Sequence, residues 1–330
     1  MWSYMAIANP STPAQYAIIL LDLARQRGVG SHALLQGTGL REAELARIGA
    51  RVSEDDFTTI IENAYRLTGD HALGLHLGLR LNLSAHATVG QAFMTCETLE
   101  QVLAFFLKYY HILAPSLDLD YRTGDGRCWL IPRPTDPLER VEFNLELLFA
   151  AIVQTVSFLL NRDDLQARVE LPYPAPAYRE EYVAAFGDDV HFGCPQARIS
   201  FEEHWLSARL PASNPALREL FEQECQRLLS DLEDSSSTAE QTLALLRKLE
   251  GHYPQMPQVA EMLNVSPRTY RRRLAGEETS FQHLLDQVRS EHATHYLKTT
   301  RLPLASIAFM VGFNDVSNFR RAYMKWTGRT

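Results

Sequence analysis

Cysteine is scarce here, with four residues in 330, at Cys96, Cys128, Cys194 and Cys225. No two of them form a C-x-x-C pair, which leaves zinc-ribbon, thioredoxin-like and disulfide-framework readings without support. Scattered buried thiols in a reducing compartment are expected instead. Long apolar runs are also missing. The longest uncharged apolar stretch, 147–160, carries Gln154, Thr155 and Ser157 and is too short to span a bilayer, so a buried helix is expected there. Residues 1–10 place no basic segment before an apolar core, so no signal peptide is expected and the chain reads as cytoplasmic, away from membranes.

Catalytic signatures are absent too. The sequence holds no G-x-S-x-G, no P-loop and no G-x-G-x-x-G, and Gly28-Val-Gly30 follows no strand pattern, so it reads as a helix stop. Among 11 histidines no pair has H-E-x-x-H spacing. His71 and His76 do not share a helical face, and His292 and His295 beside Glu291 read as surface side chains. With no nucleophile–base constellation, no catalytic residue, metal or cofactor is expected, and the chain reads as not an enzyme.

Positive charge is in deficit overall, at a net of -8. That figure would discourage a nucleic-acid partner, but the distribution reverses it. Residues 251–330 hold 11 Lys+Arg against 6 Asp+Glu, a net of +5, while the preceding 250 residues hold 21 against 34, a net of -13. A basic end on an acidic body fits a DNA-binding module joined to a separate regulatory domain. The acidic body would repel phosphates, confining contact to the basic end.

That basic end contains one pattern twice. The first copy spans 257–274 and the second 304–323. Each opens with an apolar-periodic helix carrying a small residue, Ala260 or Ala308. Four residues on stands one that tolerates a left-handed backbone, Asn264 or Gly312. A helix cap follows, Ser266 or Asp315, and then a second helix. Counted from the caps, Tyr270 and Leu274 match Phe319 and Tyr323 on a core face. Arg268, Arg271 and Arg272 match Ser317, Arg320 and Arg321 on a polar, mostly cationic face. Two such helices suit two successive major grooves, where Arg grips guanine edges or phosphates. Arg273 and Asn318 are assigned to phosphates. The helix expected over 281–299 separates the copies by about 28 Å, near the ~34 Å of one DNA turn.

Upstream, helical spacing is read over 16–25, 55–67, 72–81, 99–113, 138–160 and near 178–186, and strand patterns over 116–122, 127–132, 167–171 and 197–201. Gly124-Asp-Gly126 reads as a hairpin turn. The expected fold is therefore an α+β N-terminal regulatory domain, helix-rich with a small sheet, followed by an all-α C-terminal domain. In that domain two helix-turn-helix motifs are joined by a long helix. Boundaries are expected at 1–213 for the effector-binding and dimerisation domain, 214–239 for a linker helix and Ser-rich linker, and 240–330 for the DNA-binding domain.

The C-terminal region resembles the AraC/XylS family of transcription regulators. The resemblance rests on 266–274, Thr279-Ser-Phe281, Ile307-Ala308, Gly312-Phe313, Asp315, Ser317, Phe319, Arg321, Tyr323 and Gly328. Leu73-Gly-Leu-His-Leu-Gly78, 178–186, Phe192-Gly193, Pro211 and Pro215 are similar to the N-terminal domain of one subgroup. The resemblance implies promoter DNA as partner, an unknown small-molecule effector, a homodimer, contact with RNA polymerase, and usually activation. Two departures stand out. Glu278 occupies a position where the family usually has glycine, and Gly276 is expected to supply the backbone freedom. The family's Pro-x-x-aromatic-Arg continuation does not follow Gly328, so weaker DNA affinity is expected of a chain ending at Thr330.

For the effector, the aromatic cluster of Phe105, Phe106, Tyr109 and Tyr110 with His111 is one candidate lining, with a core stripe as the plain alternative. Arg133 or Arg140 is the candidate partner for an acidic effector. Two alternatives stay open: a DNA binder controlled by a protein partner, and an enzyme or ligand-binding body with a helical interaction module.

Overall fold

The computed structural model describes residues 10–133, 141–162, 165–234, 237–249, 253–263, 265–300 and 302–327. Pro10–Ser230 and Asp231–Thr330 fall into different compact units. The first unit mixes helices with small sheets and the second is helical, as the sequence patterns led us to expect.

In the first unit, a two-stranded pair, Ser11–Pro13 with Arg51–Ser53, brackets the helix Ala14–Gln26. A five-stranded sheet runs in the order Asp118–Gly124, Arg127–Arg133, Arg198–Glu202, Arg168–Glu170, Val190–His191. Its hairpin turns through Asp125 and Gly126, both at positive φ, with Gly124 opposite Arg127. That is the two-residue loop whose twist matches the strands. The inner pairs are antiparallel, and only the last pair is parallel.

Val141–Leu160 is the spine of this unit. By length and composition it could cross a membrane, yet more than half of it is buried inside the protein. Phe143, Phe149 and Ala150 are among its buried side chains, so it serves as a core helix. Helix Leu73–Gly78 lies against it through glycine. A Cβ on Gly74 would sit 2.6 Å from the Phe143 carbonyl oxygen, and one on Gly78 would sit 2.6 Å from the Ala150 Cβ. Glycines four residues apart put both bare backbones on one helical face, which accounts physically for the Gly74–Gly78 spacing. Beside this contact Glu146 is buried at 1 % exposure. It accepts hydrogen bonds from the Tyr178 hydroxyl (2.9 Å) and the Tyr182 hydroxyl, and Tyr173 joins Tyr182 at 3.1 Å.

Several elements differ from the sequence reading. The helix expected over 72–81 is cut to Leu73–Gly78. The one expected over 99–113 ends at Tyr109 and tightens into a 3-10 turn, Tyr110–Ile112. Part of the expected Ser-rich linker is helical, because Pro215–Asp234 continues through its acidic start. Ala87–Thr95, with Gly90 and β-branched residues diluting its signal, was not anticipated from the sequence. Three of the four cysteines are buried and all four are free. Arg140, Asn264 and Gly328 lie outside the described residues.

Two outcomes follow for the spine. Gly78→Ala should lower stability by about 1–3 kcal/mol through overpacking, read as a shifted denaturant midpoint at unchanged slope. Burial pushes the Glu146 carboxyl up to about 7. A raised carboxyl pKa means the folded state holds the proton longer than the unfolded chain does. Stability from this group is therefore fullest at low pH and falls as pH rises from about 4.5 to about 7, by about 3 kcal/mol. Glu146→Gln should stabilise by about 1–3 kcal/mol near pH 8, and the gain should vanish near pH 5. Equal thermal shifts at both pH values would refute this assignment.

Candidate nucleic-acid interface and ligand cavity

In the second unit the two copies of the pattern fold alike. Met256–Met262 and Pro267–Gly276 form the first motif, and Leu304–Met310 and Val316–Thr327 form the second. Ala260 and Ala308 are buried at the helix contact. The turn after each is closed by the same backbone bond. Val265 N–H donates to the Ala260 carbonyl and Phe313 N–H to the Ala308 carbonyl, both at 2.9 Å. Gly312 takes the left-handed conformation at φ 79. The second turn is one residue longer before its cap.

Both caps form. The Ser266 hydroxyl accepts from Thr269 N–H at 3.2 Å, and Asp315 Oδ1 accepts from Asn318 N–H at 2.7 Å. Tyr270, Leu274 and Phe319 are buried and Tyr323 is half-buried, so the core face lies where the offsets placed it. Arg268, Arg271, Arg272, Arg273, Ser317, Asn318, Arg320 and Arg321 are all exposed. Among the described residues, the guanidinium groups of Arg268, Arg271, Arg272, Arg273 and Arg320 hold no ion pair or hydrogen bond. Such groups can take phosphate or base-edge acceptors without first breaking a protein contact. Arg321 differs: its Nη2 donates to Asn318 Oδ1 at 2.6 Å, and the Asn318 amide nitrogens donate to Asp315. The cap thus orients Asn318, and Asn318 orients Arg321.

Phe281–Thr299 joins the motifs and belongs to both cores. Leu284, Leu285 and Val288 pack with Tyr270 and Leu274, while Ala293 packs with Ile307, Ala308 and Phe319. Between these groups stands Arg289, which the sequence reading did not single out. Its guanidinium lies 5.3 Å from the Tyr253 ring centre and 5.1 Å from that of Phe313, with Nη2 3.4 Å from the Gly312 carbonyl oxygen. Burial lowers its pKa. A Cβ on Gly312 would meet Arg289 Nη2 at 3.0 Å, so the position is tight as well as left-handed. The available signal was a lone arginine among apolar positions of the linking helix. Glu291 and His292, weighed above as surface groups, pair with Arg247 (2.9 Å) and with the Tyr253 hydroxyl (2.7 Å).

The departure at Glu278 resolves differently from expectation. Glu278 itself takes φ 54, while Gly276 stays in the helix. Thr279 N–H donates to Leu274 and Glu278 N–H to Ala275, the two bonds of a Schellman end with Glu278 at its left-handed position. Glu277, one residue earlier, accepts from Thr238 N–H (2.9 Å) and Ala239 N–H (2.7 Å), so it caps the helix Thr238–Lys248. That anchorage fixes the turn around Glu278. Glu278→Gly should stabilise this unit by about 0.5–1 kcal/mol, because relief of left-handed strain exceeds the entropy glycine adds to the unfolded chain. A lower melting temperature would count against it.

The first unit holds a cavity of about 330 Å³, open on one side, between its helices and its sheet. Its volume falls in the range of small-molecule sites. Of the aromatic cluster, Phe106 and Tyr110 line it, but Phe105, Tyr109 and His111 do not. Successive residues on a helix point about 100° apart, and Phe105 and Tyr109 pair with each other at 4.6 Å. Arg133 is exposed and pairs with Asp120 at 3.1 Å, away from the cavity lining. Tyr16 and His86, joined at 2.7 Å, were missed by sequence reading because 70 positions separate them.

Two capped helix pairs with matching turns and exposed arginine faces define a double helix-turn-helix DNA-binding module in a chain whose other unit holds a ligand-sized cavity. Family models match accordingly: the arabinose-binding domain of AraC transcription regulators over residues 28–210, and a helix-turn-helix domain over 259–330. The chain belongs to the AraC family of DNA-binding transcription regulators, a family of regulators rather than enzymes. It is 37% identical to the ornithine utilization regulator of Pseudomonas aeruginosa, over 96% of this chain and 94% of that one. It is 28% identical to an uncharacterized HTH-type transcriptional regulator of Mycobacterium tuberculosis, over the same shares. The crystal structure of the transcriptional regulator CdpR from Pseudomonas aeruginosa matches 83% of this chain and 89% of its own at 26% identity, with a TM-score of 0.41.

Proposed function

We propose that this regulator is a cytoplasmic homodimer that activates transcription when a small molecule occupies the cavity of its N-terminal domain. In this reading residues 1–213 receive the effector and dimerise, 214–239 connect, and 240–330 bind promoter DNA and meet RNA polymerase. Arg268, Arg271 and Arg272 face one major groove, and Ser317, Arg320 and Arg321 the next. Arg273 supplies a phosphate contact, and Asn318 positions Arg321 near the backbone. The observation that carries the DNA half is the pair of exposed arginine faces on helices anchored to one continuous helix of about 28 Å. Support for the effector half comes from the cavity, whose size falls in the range of small-molecule sites.

Selection of genomic fragments by the purified protein at about 150 mM salt tests the reading, since low salt inflates nonspecific binding. The expected product is a site with two boxes one helical turn apart. Recovery of no shared sequence would refute it. On the recovered site, Arg272→Ala should cost about 1–3 kcal/mol and relax preference at one base position. A uniform loss across all sequences, with a shallower salt dependence, would reassign Arg272 to a phosphate.

A further inference from the structure

The cavity's lining restricts what can fill it. Most of its wall is hydrocarbon or aromatic, from residues such as Phe93, Leu103, Phe106, Leu148 and Ile152. Among the described residues, no lysine or arginine lines it. Arg51, which lies close enough to Tyr16 to influence it, is spent elsewhere: Nε donates to the Ser11 hydroxyl and Nη2 to the Ile112 carbonyl. His86 lines the inner wall, but burial holds its ring uncharged at neutral pH. Among the described residues Glu54 is the one carboxylate in the lining, and exposed Thr58 and Ser116 place the opening beside it, with the Ser116 hydroxyl donating to Glu54 at 2.6 Å. Thr12 also lines the cavity, and its buried hydroxyl has no hydrogen-bond partner.

An anion brought into this space would lose its water and find no cation among the described lining residues, a cost that a cavity built for carboxylates or phosphates would meet with Arg or Lys. A sugar would set several hydroxyls against a wall that is mostly hydrocarbon and aromatic, leaving part of their hydrogen bonding unmet. An amine or hydroxyl on an apolar skeleton meets Glu54 and Thr12 and leaves the rest to hydrocarbon contact. We propose that the effector is a predominantly apolar molecule carrying an amine or hydroxyl head and no anionic group, held by that head at Glu54 and Thr12 with its apolar part within the cavity. A free amino acid, with its carboxylate, falls outside this class. So does ornithine, the compound named in the regulator to which the chain is 37% identical. The proposal rests on the reading of the cavity as the effector site.

Three probes with one skeleton separate the cases: phenylbutylamine, phenylbutanol and phenylbutyrate, titrated calorimetrically into the full-length protein, with ornithine alongside. The expected result is binding of the amine and the alcohol, and affinity for phenylbutyrate and ornithine at least about tenfold weaker, the equivalent of about 1.4 kcal/mol. Glu54→Gln should remove the amine's advantage over the alcohol while leaving alcohol binding. Ala151→Phe, which fills the cavity from the spine helix, should abolish binding of both, and its folding can be checked by its melting curve. Phenylbutyrate or ornithine binding as tightly as the amine, with loss in Ala151→Phe, would overturn the proposed class yet keep the cavity as the site. Binding unaffected by Ala151→Phe, or no binding by any probe, would overturn the cavity reading itself.

Discussion

One helix has to serve two hydrophobic cores, and the DNA-binding unit depends on that constraint. Phe281–Thr299 packs Val288 into the first motif and Ala293 into the second. Five positions on a helix turn about 140°, so the two cores take different faces of the same rod. Arg289 fills the seam between them, held between an aromatic ring from each side. A half-buried guanidinium loses part of its hydration and regains interaction by stacking on both rings, so this contact favours one arrangement of the two motifs over others. A fixed arrangement is what a reader of two adjacent grooves needs, because affinity gained from the second box requires both helices to engage together.

Much of this unit was legible because its signals are local. Cap, turn and core residues repeat at short spacing, and helical periodicity then dictates which side chains face outward. Ser266, Asp315, Tyr270 and Phe319 follow from such counting. The reading failed at Glu278, where the local rule favoured Gly276 as the flexible residue. A tertiary anchor, Glu277 on the amides of Thr238 and Ala239, holds the turn and makes Glu278 absorb the strain. Arg289 escaped for a related reason. Its meaning comes from Tyr253 and Phe313, which lie 60 positions apart and meet only in the fold.

The body was less legible. Its strands are short, its longest helix has almost no polar face, and its cavity draws on segments from 12 to 206. The aromatic stripe shows the limit of periodicity. Phe105, Phe106, Tyr109 and Tyr110 look equivalent in sequence, yet Phe106 and Tyr110 reach the cavity while Phe105 and Tyr109 are core. The arginine nominated for an acidic effector, Arg133, proved to be a surface partner of Asp120.

The spine helix of the body is loaded asymmetrically. One side is locked against Gly74 and Gly78 at distances no side chain could occupy, with Glu146 held by two tyrosine hydroxyls beside it. The other side presents Leu148, Ile152 and Thr155 to the cavity. Packing on the locked side is at crystal-like density and resists small displacements. On the cavity side the helix has incomplete packing, so its contacts change when the space is filled. A ligand there binds the folded form and not the unfolded chain, and it stabilises by its concentration relative to Kd, about 2.7 kcal/mol at a hundredfold excess. For that energy to select between conformations, the ligand must bind one of them better than the other. The half-packed face of the spine is one place where such a difference can arise, because side chains there can reorganise around an occupant without breaking the glycine contact behind them.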